Sequence, residues 1–521
     1  MSKTIAKAGL IWGASSALSR VIGLVREAVI GRTLGAGPDA DAYWSAFVVP
    51  DFLNYLLAGG ALSIVFIPIF GAHLARGEEE RAEEAFSVVA NFLLLATGLL
   101  TVALWLAMPL FAPLAAPGFP PEQIAELVAL SRIVLPAQIF HVVGGLLSAS
   151  IQARDRHALP ALAPLVYTLG IIGGGLIGGP DAGAYGFAWG ALAGSVLGPF
   201  GLPLVGALRN GLRWRASFSL SHPDLRKYLV RSLPIMVGFS IVVVDDWYLK
   251  REGTLLGTGA AAILSYAKTL MKVPLGVVGL AAGVAVFPTL QRLVAEGRTG
   301  EMRAVLFRAL RLVILVSFAT QVVLTAAGND VVALVYGRSK LSQEEVASVA
   351  SCLGLVTIGL AAWAAQSLVA RGFYALGNTW MPAVLGTLVA IVSYPLYVWS
   401  RQAFGVAGLA TVSSVAILLY TLALSYWLAR SVSATSAGRG EFAGFAVRAA
   451  IALVAGLVAG RAAQIGWTAW GLPESSALMP VHALVLAACG LIAFLGAAWL
   501  LGLEEVRTLR ARLALPRRRT V

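Results

Sequence analysis

Residues 13–37 read GASSALSRVIGLVREAVIGRTLGAG, and residues 38–70 read PDADAYWSAFVVPDFLNYLLAGGALSIVFIPIF. Both runs are long and apolar enough to cross a bilayer, which takes about 20 residues of helix. They nevertheless carry Arg20, Arg26, Glu27, Asp41 and Asp51 at depths where a spanning helix meets no water. An ionised side chain near mid-membrane costs at least ~2.5 kcal/mol, so it is usually retained for a pathway or a ligand. At about 100° per residue, Ser16, Arg20, Gly23 and Glu27 share one helix face. That face belongs inside a bundle, not against lipid.

The rest of the chain agrees. Of 521 residues 58% are hydrophobic and 12% charged, with a mean hydropathy of +0.82; soluble domains carry about 25% charged residues. The sequence divides into about fourteen spans: 5–31, 41–70, 85–108, 124–152, 159–178, 184–207, 227–249, 259–290, 304–327, 345–374, 381–400, 404–429, 442–462 and 480–502. The expected fold class is therefore an all-α polytopic membrane protein. Cys352 and Cys489 fall inside spans, far apart in sequence, which argues against a disulfide or a metal site.

The net charge of +13 is patterned. With the N-terminus in the cytoplasm, the inward loops hold Arg76, Arg81, Arg154, Arg156, Arg209, Arg213 and Arg215, and later Arg292, Arg298 and Arg303. The outward loops hold little beyond Arg32, Lys250, Arg251, Arg338, Lys340 and Arg401. This is the positive-inside distribution of a polytopic membrane protein, not a nucleic-acid surface; the family resemblance set out below implies the bacterial inner membrane. Both termini are expected in the cytoplasm, the basic tail beside anionic headgroups. Lys3 and Lys7 precede an apolar run that continues through charged residues, so no cleavable signal peptide is read.

A duplication is visible. Gly59, Ala61, Pro68, Ala75 and Gly77 recur 220 residues later as Gly279, Ala281, Pro288, Ala295 and Gly297. Ala153, Pro160, Ala161, Gly183, Gly186 and Ala188 recur 222 residues later as Ala375, Pro382, Ala383, Gly405, Gly408 and Ala410. Such a shift covers six spans, an even number, so the halves are parallel repeats. We read residues 1–209 as an N-lobe (spans 1–6) and 210–430 as a C-lobe (spans 7–12). Residues 431–521 then hold a small polar linker, spans 13 and 14, and the basic tail. Repeat-built transporters place substrate between their repeats, near mid-membrane.

Other charges sit deep as well. Lys268 and Lys272 share a face of span 8, beginning too far inside for Lys268 to reach the surface easily. Asp245 and Asp246 end span 7 as candidate coupling-ion residues, or as partners of Lys268 or helix caps. Arg132 is a candidate cavity residue, and Arg371 a cytoplasmic-end anchor. Pro50, Pro68, Pro136, Pro274 and Pro288 lie inside spans and would kink them. The five histidines are scattered, and no phosphate loop, nucleophile elbow or metal spacing is present, so enzymatic activity is not expected.

Ser19-Arg20, Gly23, Arg26-Glu27, Gly35-Ala36-Gly37, Asp41-Ala42, Pro50, Gly60-Ala61 and Phe66-Ile67-Pro68 together resemble the N-terminal signature of the MurJ/MviN family. These are the lipid II flippases of the multidrug/oligosaccharidyl-lipid/polysaccharide exporter superfamily. The resemblance implies that fold, two pseudo-symmetric six-helix lobes plus two C-terminal helices, and a role in peptidoglycan biosynthesis and cell shape. It implies alternating-access movement of undecaprenyl-diphosphate-linked precursor from inner to outer leaflet. Arg20, Arg26, Lys268 and Lys272 would then neutralise the diphosphate, with Asp41, Asp51, Asn54 and Arg132 as further substrate contacts. The expected partners are the lipid-linked oligosaccharide and membrane lipids, with the chain a monomer and without nucleic acid. No cofactor is expected; coupling would be to the membrane potential or a monovalent cation.

The sequence departs from that pattern in places. Asn54 stands where the family usually has arginine, and Gly59 where it has an acid. Lys268, Thr269 and Lys272 replace an acid-arginine-acid pattern. Lysine lacks the bidentate fork of arginine. A flippase for another polyprenyl-diphosphate-linked oligosaccharide stays open beside lipid II, as does a cation-coupled drug exporter.

Overall fold

The structure is a computed structural model describing residues 3–58, 65–237, 241–432, 436–470 and 478–506. It is helical, without a strand among the described residues. In chain order the helices are α1 (Lys3–Leu34), α2 (Pro38–Ala46), α3 (Val48–Ala58), α4 (Ile67–Ala75), α5 (Glu79–Ala115), α6 (Pro121–Val134), α7 (Ala137–Gln152) and α8 (Ala158–Ser195). They continue as α9 (Leu202–Arg209), α10 (Pro223–Val237), α11 (Ile241–Thr254), α12 (Ala260–Ala295), α13 (Thr299–Ala326), α14 (Gly328–Tyr336), α15 (Gln343–Thr357) and α16 (Leu360–Ala375). The last three are α17 (Trp380–Ser431), α18 (Ser436–Ala469) and α19 (Met479–Leu500).

Among the described residues, eight stretches are long and apolar enough to cross a membrane, or nine if α15 and α16, bent by 42°, form one span. All fourteen expected spans nevertheless fall on helix, with residues 59–64 and 238–240 outside the described residues. One 52-residue helix, α17, holds two expected spans joined at Gly405, and the second expected span is divided into α2, α3 and α4. Proline does much of the dividing. Pro50 and Pro68 sit in the first turns of α3 and α4, and Pro136 precedes α7. There the missing N–H costs nothing, so these three open helices instead of kinking them. Pro274 and Pro288 do lie inside α12.

The chain packs as two compact units. The first comprises residues 1–266, 338–342 and 386–406; the second comprises 267–337, 343–385 and 407–521. In the first, the two halves of α8 approach so closely that a Cβ on Gly174 would stand 2.3 Å from the Gly186 carbonyl oxygen. Gly174 and Gly175 thus form a helix-packing surface, whereas a Cβ on Gly173 would meet nothing within 4 Å. In the second, Leu315 and Val322 of α13 pack with Phe445 and Ala449 of α18 and Phe494 of α19. Arg311 adds ion pairs to Glu441 and Glu505 at 3.6 and 3.9 Å.

The duplication is written in the backbone as well. Gly77 and Gly297 both have φ of 72°. The following amides reach back to carbonyls five residues earlier, Glu78 to His73 (3.0 Å) and Arg298 to Leu293 (2.8 Å). These are matching Schellman closures. Asp155 (φ 58°) and Gly377 (φ 76°) repeat the device, with Arg156 bonded to Ile151 and Asn378 to Phe373.

Candidate functional site

Each deep charge is placed by the helix that carries it. In α1, the Arg26 guanidinium folds back along its own helix and donates to Glu27 Oε1 from Nη2 (2.6 Å) and Nε (3.0 Å). Glu27 is fully buried, and a buried carboxylate demands such a partner. Arg20, nearly two turns earlier, is half-buried.

Asp41 lies in α2 with no exposure. Its carboxylate accepts hydrogen bonds from the Gly259 and Ala262 amides at 2.5 and 2.7 Å. These amides open α12, where a helix has donors and no intrahelical acceptors. The aspartate therefore caps a helix distant in sequence. Tyr266 reinforces the junction by donating to the Gly35 carbonyl at 2.6 Å.

The first unit carries an open cavity of about 1060 Å³ among α3, α5, α11 and the early turns of α17. Three residues singled out from sequence, Asp51, Asn54 and Asp246, line it together. Lys250 and Arg251 of α11 join them. The sequence pattern places those two in an outward loop; in the structure they belong to α11, where Asp246 and Lys250 are four apart and share a helix face. Asp245 points elsewhere: it is buried and accepts a hydrogen bond from the Tyr397 hydroxyl.

Beside the cavity sits a network that sequence reasoning missed. Glu252 is fully buried and accepts from Arg251, from Arg401 Nε (2.9 Å) and from the Tyr394 hydroxyl (3.4 Å). Arg251 also donates to the Tyr394 hydroxyl (2.8 Å) and the Leu114 carbonyl (3.2 Å). Arg132 is not among the lining residues. Its Nε donates to the Trp105 carbonyl at 3.1 Å and its guanidinium lies 4.4 Å over the Trp105 ring.

Lys268 belongs to the second unit and is buried. Its ammonium donates to Ser413 Oγ (2.7 Å) and stands 4.3 Å from the Trp363 ring centre. A hydroxyl acceptor and an aromatic face replace part of the lost hydration. Lys272, one turn on, is exposed. No cluster of three or more His, Cys, Asp or Glu able to hold a metal is found among the described residues.

Paired and capped ionisable groups inside apolar helices, on a duplicated frame, define a polytopic helical membrane protein. A solved structure described as lipid II flippase MurJ, inward closed conformation, superposes with a TM-score of 0.75 at 18% identity, covering 96% of this chain and all of that one. An inward-facing multidrug resistance MATE family transporter of the MOP superfamily gives 0.66 at 15% identity, covering 80% and 94%. At the sequence level, the family model for lipid II flippase MurJ matches residues 30–478, and the chain belongs to that family. A probable lipid II flippase MurJ of Rhizobium meliloti is 27% identical over 499 residues, 92% of this chain and 90% of the relative. The lipid II flippase MurJ of Burkholderia cenocepacia is 27% identical over 509 residues, 94% and 95%.

Proposed function

We propose that this chain moves lipid II, an undecaprenyl-diphosphate-linked peptidoglycan precursor, from the inner to the outer leaflet by alternating access. The observation that carries the reading is the family match over residues 30–478, with relatives aligned along nearly their whole length. The physical task is to carry a diphosphate and sugars past hydrocarbon that cannot solvate them while the prenyl chain stays in lipid. Arg20, Lys268 and Lys272 supply positive charge for the diphosphate. Arg26 contributes less than its charge suggests, because Glu27 already balances it. Return of the empty, positive carrier is biased by the membrane potential, about 2.3 kcal/mol per charge per 100 mV. The chain works as a monomer in the bacterial inner membrane with both termini cytoplasmic, and it performs no covalent chemistry.

A second reading has its own support. Lys268, Thr269 and Lys272 stand where the family carries acid, arginine and acid, which favours a related polyprenyl-diphosphate-linked oligosaccharide. Complementation of a strain depleted of its lipid II flippase separates the two. Rescue of growth, lost in a Lys268→Met variant that still reaches the membrane, is the expected result. Failure of the unaltered chain to rescue, together with flipping of a different lipid-linked sugar in a reconstituted leaflet assay, would establish the second reading instead.

A further inference from the structure

Residues of the first repeat meet residues of the second along a seam where α1, α5 and α11 end and α12 begins. With the N-terminus in the cytoplasm, as proposed above, these ends lie on the outer face. Arg251 Nε donates to the Leu114 carbonyl (3.2 Å) and the Gly118 amide to Thr254 Oγ1 (3.3 Å). The Lys340 amide donates to the Gly31 carbonyl (3.3 Å) and the Tyr266 hydroxyl to the Gly35 carbonyl (2.6 Å). Asp41 accepts from the Gly259 and Ala262 amides. Each of these ties uses a main-chain group on at least one side, so the two backbones must come close. Glycine makes that possible. A Cβ on Gly118 would stand 2.0 Å from the Thr254 carbonyl oxygen, and one on Gly259 2.3 Å from that of Ala36. Gly259 has φ of 87°, which disfavours a side chain wherever its neighbours are, whereas Gly118 is not among the glycines of positive φ. At Gly118 it is the chain across the seam that excludes a side chain.

We infer that Gly118 is the position that lets the outer side of the molecule shut, and that a side chain there holds it open. Under the alternating-access reading on which this rests, the outer side is closed in one state and parted in the other. A Cβ at residue 118 collides with Thr254 only in the closed state, so it penalises one state and spares the other. Such a difference is what shifts a population, and packed interfaces answer it by switching, not by yielding gradually. Gly118 does not line the cavity. Its effect on transport goes through the seam and not through contact with the cargo.

The test is thiol labelling of Ala261→Cys in the full chain in lipid nanodiscs, with Cys352→Ser and Cys489→Ser removing the native thiols. Ala261 is fully buried in the first turn of α12, between the two residues whose amides Asp41 holds. A membrane-impermeant maleimide reaches it when the seam parts. Gly118→Val should speed labelling at least fivefold and Gly118→Ala at least twofold, with melting temperatures close to that of the unaltered chain. Gly98→Val adds the same bulk in α5, where a Cβ would meet nothing within 4 Å, and should leave the rate unchanged. Should Gly118→Val fail to fold, Gly118→Ala decides by the same readout. Labelling that ignores residue 118, or that rises as much in Gly98→Val, would overturn the assignment. No lipid substrate is needed, so a chain that failed to move lipid II would overturn the proposed cargo and leave the seam standing.

Discussion

Gly183 and Gly405, 222 residues apart, bend the backbone in the same way: φ 50° and ψ −129° at the first, φ 58° and ψ −136° at the second. Each lets two helices continue as one rod with a break, and no side chain tolerates that conformation well. Little crowds either position. A Cβ on Gly405 would meet nothing within 4 Å, and one on Gly183 only an Asp39 oxygen at 3.5 Å. The cost of a side chain is therefore almost purely conformational. Gly183→Ala and Gly405→Ala should each destabilise by about 1–3 kcal/mol and by similar amounts. Thermal unfolding in detergent measures this; a large effect at one position alone would break the equivalence of the two bends.

The Asp41 cap yields a second expectation. Asp41→Ala orphans the Gly259 and Ala262 amides in a buried setting, at about 1.5–3 kcal/mol for each charge-assisted bond lost. Asp41→Asn keeps one oxygen acceptor and should cost less. Hydrogen exchange at residues 259–262 should quicken in the order Asp, Asn, Ala. Equal protection in all three would mean that the carboxylate is not what holds the start of α12.

Much of this was legible in sequence, because apolar length, small-residue spacing and proline position are local signals. The fourteen helical stretches and the repeat rest on them. Partners were less legible. Asp41 is answered by amides more than two hundred residues away, Lys268 by Trp363 and Ser413, and Glu252 by Arg401. Pairings at such separations leave no periodic trace. Arg26 is the opposite case: its partner is its immediate neighbour, which a helical wheel places about 100° away. A long side chain folds back across that angle.

That Arg26–Glu27 pair makes a third prediction. Arg26→Ala removes a guanidinium 2.6 Å from a buried carboxylate and should destabilise by about 3–5 kcal/mol. Loss of translocation in that variant would then report folding as much as mechanism. The double variant Arg26→Met with Glu27→Met removes both charges together and should recover most of the stability. Melting temperatures of the two variants decide it. If the double variant melts no higher than the single, the carboxylate is not the source of the loss.

The segment after α9 makes the last. Residues 212–219 run extended along α5, and Asn91 grips them. Its amide donates to the carbonyls of Arg215 (2.9 Å) and Ser217 (2.7 Å), and its oxygen accepts from Trp214 Nε1 (2.8 Å). Ser87 and Glu83, both buried in α5, add bonds to the amides of Arg215 and Arg213. Arg213 and Arg215 themselves are exposed, which makes the strap a substrate for trypsin whenever it lifts. Asn91→Ala deletes three bonds at roughly 0.5–1.5 kcal/mol each. Cleavage after Arg213 and Arg215 should therefore quicken by about tenfold or more, since each 1.4 kcal/mol is tenfold in the open population when reclosing outpaces cleavage. Asn91→Asp keeps the acceptor for Trp214 and loses both donations, so its rate should fall between the two. A rate in Asn91→Ala equal to that of the unaltered chain would show that Ser87 and Glu83 alone hold the strap down.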